Sequence, residues 1–182
     1  MINRMLQGGA VAALAAVVLL WAACEVEREI PEHDPAVVPP PGAEVVLPDT
    51  TPEGLWRYLE EIDYADSWSH WPRLPEFYPG TEPHGQLLRT YANGIAMPHI
   101  EAGLTGDLPH SSMIVKENYT EGRELDSYSV MWRIEEYNPE HRDWLFAKYG
   151  PDGVAEEFGR VESCQECHAG AETGYIHTRA PR

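Results

Sequence analysis

Three patterns of apolar residues follow one another along the chain. The first is an unbroken run from Ala10 to Leu20, too short for a membrane-spanning helix. The second is helical: Leu55, Trp56, Leu59 and Ile62 recur at the spacing of one helix face. Thr51 supplies a cap and Pro52 a first-turn residue, so an amphipathic helix is expected over 52–63. The third is alternation, the period of strands. It marks Gln86–Asn93, Ser112–Tyr119 and Asp126–Tyr137. In the last of these Tyr128, Val130, Trp132 and Ile134 share one face, and Ser129, Met131 and Arg133 the other.

Turn chemistry separates these stretches. Asn93-Gly94 closes the first strand, and Glu121-Gly122-Arg123 is the expected hairpin turn between the next two. Ile95–Gly103 is assigned a short helix. Trp144–Tyr149 reads as a further strand, with helix as the alternative, and Gly150-Pro151-Asp152-Gly153 closes it. Val154–Phe158 is one more short strand. Residues 65–80 form a loop rich in Trp and Pro. The order is one helix, then strands joined by short connections, which predicts an α+β fold with a predominantly antiparallel β-sheet, an N-terminal helix and flanking short helices.

The N-terminal pattern reads as an export signal over residues 1–23. Arg4 gives the positive end, and Leu20-Trp21-Ala22-Ala23-Cys24 resembles a bacterial lipobox, with Cys24 the lipidation site. Ordinary cleavage near Ala22 or Ala23, or an uncleaved anchor, are the alternatives, and all three place the remainder outside the cytoplasm. Residues 24–50 are rich in Pro, Glu and Val, and Pro39-Pro40-Pro41-Gly42 admits neither helix nor central strand. This is the expected tether, leaving 51–182 as the folded domain.

Charge narrows the partners. Thirteen Lys and Arg stand against 30 Asp and Glu, a net charge of −17. That excludes a phosphate-binding surface and so nucleic acid. It suits a basic redox partner protein or a plain solvated surface. The six tryptophans and nine tyrosines suit a domain around a large apolar cofactor, or an aromatic-rich β core.

The sharpest chemical signal is Cys164-Gln165-Glu166-Cys167-His168, of the form CxxCH, the attachment signature of c-type haem. Two thiols three positions apart can join the two vinyl groups of one porphyrin, and the histidine that follows can ligate its iron. A redox dithiol of the thioredoxin type belongs beside a βαβ pattern, which is absent. A structural zinc site wants four ligands, and the only other cysteine is Cys24. With no cysteine left for an intramolecular disulfide, haem attachment is an expected requirement for folding.

Taken with its neighbours, this motif resembles the cytochrome P-460 family. The residues that carry the likeness are Trp68-Ser69-His70-Trp71-Pro72, Pro83-His84-Gly85, Tyr91-Ala92-Asn93, Val115-Lys116-Glu117-Asn118, Val130-Met131-Trp132-Arg133, Asp143-Trp144-Leu145-Phe146 and Cys164 to His168, in that order. The family includes hydroxylamine-oxidising cytochromes P-460 and gas-binding cytochromes c′-beta. The resemblance implies a small periplasmic, mostly β, homodimeric protein. It implies one covalent haem c through Cys164 and Cys167, with His168 as proximal iron ligand and an open or weakly held position opposite. The oxidising members also join a lysine to the haem ring. Here the lysines are Lys116 and Lys148; neither is read as that lysine, so the plain gas-binding kind is preferred.

Other residues remain as candidates. His70, His84, His99 and His110, or Met97, Met113 and Met131, are possible sixth ligands, with surface or core roles as the plainer reading. Glu117 is a weak catalytic candidate, able to move protons if buried near a haem; the preferred reading is a Lys116–Glu117 pair at a sheet edge or dimer contact. Two functions follow. One is a non-enzymatic exported cytochrome that binds a small gas such as NO or transfers electrons. The other is an oxidoreductase acting on hydroxylamine or a related small nitrogen substrate.

Overall fold

The computed structural model describes residues 46–177. The signal over 1–23, Cys24 and most of the tether lie outside the described residues. The described chain is α+β, built on one mostly antiparallel seven-stranded sheet.

Helix α1 spans Pro52–Glu61; Thr51 Oγ1 accepts from the Gly54 amide at 3.1 Å, and Leu55 and Leu59 are fully buried. A four-residue helix, α2 (Tyr64–Ser67), follows. Inside the loop rich in Trp and Pro lie two strands of two residues, β1 (Ser69–His70) and β2 (Tyr78–Pro79), both paired with β3 (Leu87–Ala92). They were not expected, because two-residue strands carry no period of their own; the partner strand defines them. Helix α3 covers Met97–Glu101. The central hairpin is β4 (Met113–Tyr119) and β5 (Leu125–Arg133), turned at Thr120–Glu124. The alternation that suggested a strand to Tyr137 stops at Arg133, where residues 134–137 form a turn with Glu136 in the left-handed region. Strand β6 (Trp144–Tyr149) resolves the choice of strand or helix at that segment, and β7 is Ala155–Gly159. Helix α4 (Glu162–Ala169) carries the CxxCH motif.

The sheet runs β1-β3-β4-β5-β6-β7, with β2 also on β3. Register sorts its side chains onto two faces. On one, Tyr91, Val115, Val130, Trp132, Leu145 and Tyr149 pack under α1 in a closed core. On the other, Ala92, Ile114, Met131 and Phe146 pack with α3, Trp71, Leu108 and Ile176. Being covered on both faces explains why several strands read as nearly continuous apolar runs. Gly153, at φ +78°, has to be glycine: a Cβ there would lie 2.2 Å from Trp56 Nε1 of α1.

Candidate functional site

Strand register lays one polar row across the second face. Thr90 pairs with Lys116, Lys116 with Ser129, Ser129 with Lys148 and Lys148 with Glu157. All five line a cavity of about 640 Å³, a size suited to a substantial ligand. The neighbouring row, Ile114, Met131 and Phe146, gives it an apolar wall, and Trp71, Leu74 and Leu88 extend that wall.

Helix α4 closes the cavity. Cys164 and His168 are four residues apart and Cys164 and Cys167 three, so one side of the helix presents all three. All three line the cavity. His168 is buried, and its Nδ1 donates to the Tyr175 carbonyl at 2.7 Å. That bond fixes the ring and leaves Nε2 as the nitrogen with a free lone pair, the usual setting of a metal-bound histidine. Burial pushes the His168 imidazole down to about 4, so it is neutral at pH 7 and able to ligate. Burial pushes the Cys164 thiol up, with Glu157 adding to the effect.

Tyr175 could not be singled out in the sequence, since it acts through its backbone. Gly174 and Tyr175 both have positive φ, and this turn sends the tail back toward α4. Trp144 Nε1 donates to the Gly174 carbonyl at 3.2 Å, and Tyr175 Oη lies 3.1 Å from His141 Nδ1. The one legible signal was the glycine.

Lys116 lines the cavity, and burial pushes its amine down to about 8, with the Cys167 thiol acting in the opposite sense. Glu117, the next residue, points to the opposite face. It is buried there, taking hydrogen bonds from Tyr64 Oη at 2.8 Å and Tyr119 Oη at 2.7 Å, with Arg89 Nη1 at 3.7 Å. The expected Lys116–Glu117 pair at a sheet edge is therefore corrected. Strand β4 is central, and alternation sends the two side chains to opposite sides. Glu117 is also not among the residues lining the cavity. Lys148 lies at the rim, with its amine 2.7 Å from Glu156.

The ligand candidates separate just as clearly. His84 lines the cavity, and its Nδ1 hydrogen-bonds to Ser129 Oγ at 3.2 Å. Burial, with Lys116 and His168 nearby, pushes its imidazole down to about 3. Gly85, beside it, approaches β4 so closely that a Cβ would lie 2.5 Å from the Tyr119 amide nitrogen. His70 stacks near Tyr91 at 4.4 Å, and His110 lies 3.3 Å from Asp143. His70, His99 and His110 do not line the cavity, and neither do Met97 and Met113, which are core residues; Met131 does. His177, not considered from the sequence, lines it as well, with its Nε2 3.3 Å from the Cys167 carbonyl.

The residues present fit a haem. Two thiols and an oriented imidazole meet in one apolar-walled cavity, and a porphyrin brings the iron's other in-plane ligands itself. Among the described residues no group of three or more His, Cys, Asp or Glu is arranged to hold a bare metal ion. No family model matches the chain, and no curated protein matches it.

Proposed function

We propose that this is an exported c-type cytochrome of the P-460 and c′-beta kind, carrying one haem on Cys164 and Cys167 with His168 as proximal ligand, and that it binds a small gas such as NO or transfers electrons. The observation that carries this reading is the convergence of the CxxCH side chains on one cavity, with His168 Nδ1 already committed to the Tyr175 carbonyl. Bound haem supplies a redox-active iron with an exchangeable position. The chain's own part is to fix the proximal imidazole, exclude water with Trp71, Leu74 and Phe146, and set the charge around the ring through Lys116 and Lys148. A dithiol redox centre fits less well, because that chemistry wants a depressed thiol and Cys164 is shifted the other way.

The lipid at Cys24, the periplasmic location, the homodimer and a redox partner protein belong to this proposal. The test is the mass of the denatured protein. A mass of chain plus one haem, resistant to solvent extraction and lost in Cys164→Ser/Cys167→Ser, is expected; a bare chain from cells that assemble c-type haem overturns the reading.

One observation favours the second reading, oxidation of hydroxylamine or a related nitrogen compound. Lys116 is in the cavity with the two thiols, and its lowered pKa gives it more free amine at neutral pH than an ordinary lysine. A peptide joining Lys116 to the haem, together with turnover of hydroxylamine with an added oxidant, would establish the enzyme. A haem peptide holding only the two cysteine linkages supports the non-enzymatic form.

A further inference from the structure

The cavity holds a second oriented imidazole that the attachment motif does not account for. His84 sits in the turn before β3, and its ring centroid lies 6.4 Å from that of His168, with the two planes at 90°. Two imidazoles binding one metal from opposite sides, each with a metal–nitrogen distance of about 2 Å and roughly 1 Å more to the ring centre, place their centroids about 6 Å apart. A histidine that only hydrogen-bonds to a gas held between itself and the metal needs about 2–3 Å more. The observed spacing matches direct ligation.

The hydrogen bonds agree with the distance. The His168 Nδ1 must carry its proton, because a carbonyl can only accept, so Nε2 is the free donor atom. Ser129 Oγ already accepts from Asn118 Nδ2 at 3.0 Å and has a second lone pair for the Nδ1 proton of His84. Asn118 also hydrogen-bonds to the His84 side chain, and with the Nδ1 proton given to Ser129, Nε2 is the nitrogen of His84 that can ligate. The other cavity imidazole is placed differently: His177 is exposed, and its Nε2 is directed to the Cys167 carbonyl.

We propose that His84 is the second axial ligand of the iron, opposite His168 and held in place by Ser129. The proposal rests on the haem reading above and refines it. The far position is occupied by a displaceable histidine from a turn, so electron transfer is the resting competence and a gas binds only by displacing His84.

The experiment uses holoprotein, with spin state read by electron paramagnetic resonance and absorption. Ferric wild-type protein should be low-spin. His84→Ala should be high-spin with covalent haem intact, should bind CO in the ferrous form at least tenfold faster, and should return to low-spin on adding imidazole. His177→Ala and Lys116→Met should remain low-spin. Ser129→Ala, which keeps His84, should fall between, with CO binding accelerated by a smaller factor. A high-spin wild type, a low-spin His84→Ala, or a low-spin signal lost in Lys116→Met instead would each overturn the assignment while leaving the haem reading intact. A wild type without covalent haem would sink that parent reading and this one with it.

Discussion

The two faces of the sheet are built from the same strands and do opposite things. Under α1, Val115, Val130, Trp132, Leu145 and Tyr149 interlock, and the buried carboxylate of Glu117 is met by two phenols and Arg89. One residue along each strand, the other face carries Lys116, Ser129 and Lys148 into a cavity instead. A buried charge with partners makes structure, whereas one lining a cavity beside two thiols and an imidazole is placed for a ligand. The lesson for reading such chains is that adjacent charged residues in a central strand are not a pair; they are one residue for each face.

The comparison can be broken in several places. The largest effect is expected on the cavity side: Cys164→Ser/Cys167→Ser should abolish covalent haem altogether, measured by mass, and lower the yield of folded protein. On the other face Trp132→Ala should cost about 3–5 kcal/mol in denaturant unfolding, because a fully buried indole leaves a cavity. Glu117→Ala should cost about 3 kcal/mol by leaving the Tyr64 and Tyr119 hydroxyls without their acceptor and Arg89 with Glu76 alone. A loss under 1 kcal/mol there would show that the carboxylate is not structural.

Alkaline pH sharpens the same contrast. Burial, with Glu117 adding to it, raises the Tyr119 phenol to about 12 and shifts Tyr64 and Tyr91 upward too. These groups keep their protons in the folded state while the unfolded chain loses its own near pH 10. The folded state then binds more protons, so stability falls as pH rises from about 10 toward 12. A melting temperature that drops over that window, and drops less in Tyr64→Phe, is expected; equal slopes for the two proteins would contradict it. The smallest effect belongs to the rim: Lys148→Ala removes a half-exposed pair with Glu156 and should change stability by about 0.5 kcal/mol or less.

By itself the sequence determined the elements and the chemical theme. Thr51-Pro52 and the Leu55–Leu59 spacing specify a helix, the alternation around Val130 a two-sided strand, and Cys164 to His168 a cluster of two thiols and an imidazole, because each of these is a local pattern within a few residues. It did not determine which histidine meets His168, which of Lys116 and Glu117 faces the cavity, or that the Tyr175 carbonyl orients the His168 ring. Those depend on strand register and on where the loops return, set by packing between residues tens of positions apart. His84 meets His168 across 84 residues of chain, and only the tertiary structure brings them to one cavity.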